Sequence, residues 1–335
     1  MKARYLVRWL APSIAAVAAL AASPARASSQ CGRACLENLV DRYIAAMVAH
    51  DPERLPLARR VAFTENGVHL RLGDGLWGTA SAPGHYKLYI TDPEDGQVGF
   101  YGTVFENGVP VLLALRLKVD YGLISQVETI VARPPALGRS ALPSAGAVLE
   151  KRGHPRPQFL EIVPPGERMT RAALVRVANS YFTGLGGNTG HNSAPFWPTC
   201  NRWENGTQTT NNPRNGRTGF DVLALGCAAQ QRSAFFSFVT DIRNRRFPVV
   251  DREHGLVMAF CYFDHAGVEK TIHLTDGETV PSPVRAPLTL EVSELFEIRR
   301  GKLDQIEAVL NTAPYGMKSA VWDAPWVGEQ PDVRP

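Results

Sequence analysis

The chain contains no Gly-x-Ser-x-Gly elbow, which leaves an α/β-hydrolase nucleophile without a place. Gly184 to Gly187 lacks a following Gly-Lys-Ser/Thr and comes after no strand, so it is not a phosphate loop. No carboxylate/His cluster has metal-ligand spacing, and no His or further Cys stands at zinc-finger distance from the cysteines. Neither a metal nor another cofactor is expected. Beyond residue 27 no apolar run approaches the roughly 20 residues that span a bilayer. A charge of one sign is missing too. Of the 36 Lys and Arg, Lys2, Arg4, Arg8 and Arg26 lie in the first 27 residues, which hold no acid, so the remainder balances the 32 Asp and Glu. That neutrality excludes nucleic acid as the expected partner.

Those first residues form a pattern of their own. A basic start leads into the apolar stretch Trp9 to Ala22 and then Ala25-Arg26-Ala27, a small-x-small cleavage signature. The segment 1–27 therefore reads as a cleavable secretory signal, the alternative being an uncleaved anchor. The expected location is secreted or periplasmic, with no membrane association after cleavage. Five cysteines suit such an oxidising compartment. The pairing expected is Cys31 with Cys35 and Cys200 with Cys227, with Cys261 a buried free thiol inside Leu256 to Phe263. A metal site built on cysteine pairs is the alternative.

The rest of the chain is long for one domain and suits two. Residues 134–168 are rich in Pro and Gly and read as a linker or strap. The segments on either side, 28–133 and 169–322, look alike, and 323–335 is a tail. Apolar residues at 36, 39, 40, 43, 44, 47 and 48 predict an amphipathic helix, and Leu174 to Phe182 predicts its counterpart. Asp51-Pro52 and a short second helix are expected next. Gln97 to Glu106 and Val109 to Val119 predict strands joined at Asn107-Gly108, a hairpin signal, and Leu123 to Val131 predicts another strand. Glu65-Asn66-Gly67 recurs as Glu204-Asn205-Gly206, and Gln126-Val127-Glu128 as Gln305-Ile306-Glu307. The shared tripeptides in one order point to an internal duplication.

A leading amphipathic helix, a short second helix, an acidic turn entering a strand and then a curved antiparallel sheet resembles the SnoaL-like/NTF2-like superfamily. The endings Leu115 to Ile130 and Leu295 to Leu310 carry most of that likeness. The resemblance implies an α+β fold of two tandem cone domains, each a curved antiparallel sheet packed against helices around a pocket. It further implies isomerase, dehydratase, cyclase or binding-only roles. Some secreted members look connected with cleavage of lignin-type β-aryl ethers by water, without glutathione.

Within that resemblance, Glu204 and Asn205, with Glu65 and Asn66 in the first half, occupy the place where the ketosteroid-isomerase branch has its general base. A carboxylate at an apolar pocket has its pKa raised, which suits proton transfer. The sequence has Asn at the next position where the family has Asp. The structural alternative is that Glu-Asn-Gly is simply a tight turn. Asp264 and His265 are a candidate acid/base pair, or a capped turn, and neighbours on a strand face opposite sides. Residues 241–254 read as a solvated, internally paired surface helix or loop, the alternative being an arginine that orients a carboxylate or phenolate. Gly184 to Arg217 is the largest departure between the halves, with aromatic residues among hydroxyls and amides. Asn205-Gly206-Thr207 is a formal glycosylation sequon.

The expected catalytic set is thus Glu204, Asn205, His265 and Asp264, with Tyr181, His191, Trp203, Arg245 and Tyr262 as substrate-binding residues and no metal ligand. The expected function is cofactor-independent general acid/base chemistry (lyase, isomerase or hydrolase) on a small hydrophobic, aromatic molecule. Lignin-type β-aryl ether cleavage by water is the specific expectation. The alternative is a non-catalytic extracellular binding or assembly module. A homodimer is the assembly to test.

Overall fold

The structure, a computed structural model, describes residues 31–134, 144–191, 193–213, 219–319 and 321. The expected signal segment 1–27, residues 135–143 at the start of the linker and the tail from 323 lie outside the described residues.

The first unit opens with α1 (Arg33–Val48), which buries Leu36, Leu39, Val40, Tyr43, Ile44 and Met47 along one stripe. It stops just before Asp51-Pro52, where Pro52 cannot extend the backbone ladder. Instead of a second helix, a single 3-10 turn, Pro52–Arg54, leads into β1 (Leu57–Glu65). Then follow β2 (Val68–His69), β3 (Ala80–Asp92), β4 (Gln97–Glu106), β5 (Val109–Asp120) and β6 (Leu123–Ala132). The strands pair in the order β2-β1-β6-β5-β4-β3. All pairs are antiparallel except β1 with β6. β4, β5 and β6 match the predicted runs; β3 has no counterpart among the predicted strands.

The linker contains α2 (Ala145–Arg152), capped by Ser144 and ended by Gly153 in the left-handed region. The second unit begins at α3 (Arg171–Leu185) and continues with β7 (Phe196–Glu204), β8 (Thr207–Gln208), α4 (Cys227–Arg232), β9 (Asp241–Asp251) and β10 (Leu256–His265). A small hairpin of β11 (Thr271–His273) and β12 (Thr279–Pro281) precedes β13 (Leu288–Arg299) and β14 (Lys302–Ala313). The sheet order is β8-β7-β14-β13-β10-β9, with β7 parallel to β14. Strand for strand this repeats the first unit, so the chain is an α+β protein of two like bodies.

Residues 241–251 form a strand, not the expected surface helix or loop. Asp241 and the arginines there are tolerated because the strand is bulged and its guanidinium groups find carboxylates: Arg243 on Asp264 and Arg246 on Glu128. The Glu-Asn-Gly segments are the tight turns of the structural alternative, placed after a strand and not at the entry to one. Each leaves a strand by a two-residue hairpin with both turn residues at positive φ (Asn66 49°, Gly67 72°; Asn205 46°, Gly206 76°).

The hydrophobic interior is three-layered. α1 covers one face of the first sheet, and α3 covers one face of the second. The two uncovered faces meet, packing Leu88, Ile90 and Leu112 with Met258, Leu295 and Val309. Polar pairs cross this seam: Tyr86 donates to Glu307 at 3.0 Å, Tyr101 to Ser293 at 2.9 Å, and Arg246 to Glu128 at 3.1 Å. At the sheet edges the crossing is reciprocal. Asp92 accepts from the Val250 amide at 2.9 Å, and Asp251 from the Thr91 amide at 3.2 Å. Arg171, at the start of α3, reaches Asp92 of the first unit. Arg33, at the start of α1, reaches Asp251 of the second at 2.7 Å. The units therefore embrace about a pseudo-twofold axis.

Both expected disulfides form, Cys31–Cys35 and Cys200–Cys227, and Cys261 is a buried free thiol. Among the described residues no helix is long and apolar enough to cross a membrane.

Candidate functional site

On the helix-covered face of the second sheet, four polar side chains converge inside an aromatic shell. Arg202 from β7 donates from Nη1 to the Tyr181 hydroxyl of α3 at 3.2 Å, and from Nε to Glu204 at 2.9 Å and Thr209 at 3.0 Å. Glu294 from β13 completes the group. It is 2% exposed, and its pKa is pushed up to about 8. Burial is the main cause and Glu204 adds to it; Arg202 and a hydrogen bond from Tyr181 pull the other way without winning. At neutral pH Glu294 is therefore a neutral acid, able to donate a hydrogen bond or a proton. The same burial raises Tyr181 well above the usual phenol range and keeps it neutral. Burial works against the charge on Arg202, but the Glu204 carboxylate and the hydrogen bond to the Tyr181 oxygen outweigh it. Glu204 is half-buried at the rim.

Local sequence explains the placement. Cys200 and Arg202 alternate onto the helix-covered face of β7, and Val292, Glu294 and Phe296 onto that of β13. Tyr181 packs edge-on against Phe296 (5.2 Å between centroids) and Phe182 (5.7 Å), which fixes its hydroxyl over the strands. An aromatic flap, Phe235–Phe238, closes the group from outside. Phe236 lies 5.2 Å from the Arg202 guanidinium, and Phe238 stacks on His265 at 5.7 Å. The foot of the flap is anchored by Cys200–Cys227 and by Gln231, which accepts from the Ala194 amide and donates to the Tyr181 carbonyl. The ring tips are only half-buried.

The sequence-selected residues are distributed unevenly around this group. Glu204 and Tyr181 belong to it. Asn205 does not: its side-chain amide makes paired hydrogen bonds to the backbone of Leu310 (3.1 and 2.9 Å), extending the sheet past the turn. Asn66 does the same at Val131. His265 shares the helix-covered face under Phe238, and burial lowers its pKa. Asp264 faces the other way, tied to Arg243 at 2.7 Å and Thr289 at 2.6 Å, so the two are not an acid/base pair. Trp203 alternates to the inter-sheet face, where the linker's Arg156 stacks on its ring at 3.3 Å. Tyr262 lies under Arg243, also off the site. Arg245 sits beside α3, bonded to Asn179 and Thr183. His191 is on an exposed loop. Among the described residues no group of His, Cys, Asp and Glu is arranged to hold a metal.

Sequence reasoning missed Arg202 and Glu294. A signal for the latter was present: an acid between Val292 and Phe296 on the inward register of a strand. Strand pairing also shows what the first unit has there. Glu65 stands opposite Thr129 as Glu204 does opposite Ala308, and Leu115 and Phe100 take the places of Glu294 and Ala259. Phe63 stands where Arg202 does. Tyr43, the partner of Tyr181 on the helix, accepts from the indole of Trp77 at 2.7 Å. Trp77 is 1% exposed and plugs that chamber.

The family described as a domain of unknown function (DUF8021) matches residues 167–310, which is the second unit almost entirely. No curated protein matches. Among solved structures, a protein of unknown function with a cystatin-like fold from Methylobium petroleophilum PM1 is similar. It shares 17% identity at a TM-score of 0.25, covering 34% of this chain and 86% of that one. The fold assignment rests on strand order and register, not on that likeness.

Proposed function

We propose that the second unit is the working half of an exported, cofactor-independent acid/base enzyme acting on a small hydrophobic, aromatic molecule. Lignin-type β-aryl ether cleavage by water is the specific reaction. One observation carries the reading: a buried, neutral carboxyl at Glu294 among hydrogen-bond donors, where the first unit has only Leu115. Export is supported by the two disulfides.

In this mechanism Glu204 accepts a proton from the attacking water as its oxygen bonds to the ether carbon. The carbon–aryloxygen bond breaks with its electron pair on the leaving oxygen. That oxygen is held by Arg202 and Tyr181 and takes the proton of Glu294. Proton return from Glu204 to Glu294 resets the pair. Donors fixed beforehand around a developing oxyanion are each worth about 100- to 1,000-fold in rate.

The test is turnover of β-aryl ether dimers, and of a wider panel of aromatic ethers and esters, by the whole protein. Glu294→Gln and Glu204→Gln should each lower kcat by about 100-fold or more, while Glu65→Gln leaves it unchanged. Equal activity in all three variants would sink the assignment. A second reading, a non-catalytic binding module, is favoured by the closure of Phe236 over Arg202. Ligand binding without any turnover across the panel would select it.

A further inference from the structure

A concavity lies away from the acid group, at the opposite end of α3. It is a 270 Å³ cleft between the linker strap and the base of the second sheet, with Trp197, Thr199 and Asp304 along one side and Val163, Pro164 and Met169 along the other. Leu174 of α3 lies at its floor, seven residues or about 10 Å along the helix from Tyr181. The strap is held off the sheet by specific bonds. The Val163 amide donates to the Glu253 carbonyl at 2.8 Å, Arg300 pairs with Glu167 at 3.1 Å, and Arg299 with Glu161 at 2.9 Å. Gly255 turns at a φ of +67°, and a Cβ there would meet the Ile298 carbonyl at 2.6 Å, so the floor needs glycine.

The chemistry of the lining selects a ligand. Every arginine of the cleft already has a carboxylate: Arg252 on Glu94 at 2.6 Å, Arg299 on Glu161 and Glu297, Arg300 on Glu167. Asp304 accepts from Thr199 at 2.5 Å. Each guanidinium is offset by a carboxylate, so none is left to draw a free anion, and planar donors and acceptors remain at fixed positions. Beside them stands the half-buried indole of Trp197. Its N–H is satisfied by the Arg299 carbonyl at 3.0 Å, and Lys302 lies 4.8 Å from the ring centroid. An indole with its N–H already satisfied offers a flat apolar surface and no donor. The cleft is slightly smaller than the roughly 300–1,000 Å³ of drug-sized pockets, which suits a single ring.

We propose that this cleft is a second ligand site, taking a neutral, hydroxylated six-membered ring, that is, one sugar unit. The apolar C–H face of the ring lies on Trp197, and its hydroxyls exchange hydrogen bonds with the paired charged groups. The first unit lacks the ring, since Ala58 occupies the register position of Trp197. The site does not depend on the acid/base reading of the Glu294 group.

The experiment is saturation-transfer NMR with calorimetry on the whole protein, using glucose, xylose, N-acetylglucosamine and their short β-1,4 oligomers. At least one series should bind, with little change in affinity on raising salt to about 0.5 M. Trp197→Ala should weaken it at least tenfold, a loss of about 1.4 kcal/mol. Trp197→Phe, which keeps a stacking surface, should restore it to within about threefold, separating ring contact from folding. Glu294→Gln should bind as the wild type does. Absence of binding by every sugar, wild-type affinity in Trp197→Ala, or tighter binding of benzoate or inorganic phosphate than of any sugar overturns the proposal.

Discussion

The two units share a strand order, a helix, a Glu-Asn-Gly hairpin and an inward tyrosine, yet their interiors differ at four places. In the first, Phe63, Leu115, Phe100 and Trp77 fill the space between helix and sheet. In the second, Arg202, Glu294 and Ala259 stand at the first three, and a disulfide-anchored phenylalanine flap replaces the tryptophan. One scaffold thus carries a dry core in one copy and a buried polar group in the other. Buried polar groups without a structural counterpart are expensive to keep, which is the physical ground for proposing the second unit as the working half.

The comparison can be broken most sharply at the two plugs. Trp77→Ala should destabilise the protein by about 3–5 kcal/mol in denaturant unfolding, because a fully buried indole and its bond to Tyr43 are lost. Phe236→Ala should cost less than about 1.5 kcal/mol, since that ring is half-exposed. Equal losses would mean that the flap is core in the same sense as Trp77.

The reciprocal clasp gives a second contrast. Burial raises Asp92 to about 6, despite Arg171 and the Val250 amide. Asp251 is buried as deeply, but His254 and Arg33 overcome that and hold it down to about 2. A depressed carboxylate lends stability above its unfolded pKa, lost as pH falls through the folded value. A raised one lends stability at low pH, lost as pH rises toward the folded value. Asp251→Asn should therefore cost about 3 kcal/mol at pH 7, and Asp92→Asn less than about 1, because Arg171 keeps Asp95 at 3.0 Å. Chemical denaturation of both variants at pH 7 checks the pair, and its asymmetry should vanish near pH 2.

The smallest effect is the pH dependence of the polar group itself. Glu294 is raised to about 8, so its contribution to stability declines as pH rises from its unfolded value toward 8 and is flat above. Glu294→Gln should flatten that decline, gaining on the order of 1–3 kcal/mol relative to wild type at pH 8. The matching change at the first unit's Leu115, to Gln, should destabilise at every pH, since nothing there receives an amide.

Much of the fold was legible. The helix stripes, the strands β4 to β6 and the Asn-Gly hairpins followed from periodicity and from turn residues that reach positive φ. The disulfides followed from cysteine spacing in an oxidising context. β9 was not legible, because its dense charge resembles a surface segment until Glu128 and Asp264 arrive from elsewhere in the fold to neutralise it. Trp203 and Glu204 looked like one site, whereas strand alternation sends them to opposite faces of the sheet.

By itself the sequence determined the duplicated plan, the covalent links and the elements whose signals are local, because periodicity, turn chemistry and cysteine placement act over a few residues. Only the tertiary structure decided which acid is buried among the aromatic rings and donors of the second unit. Glu204 is conspicuous in the sequence and Glu294 is not, yet burial raises the proton affinity of Glu294, and the helix and strands that desolvate it and bring Arg202 and Tyr181 beside it come from far apart in the chain.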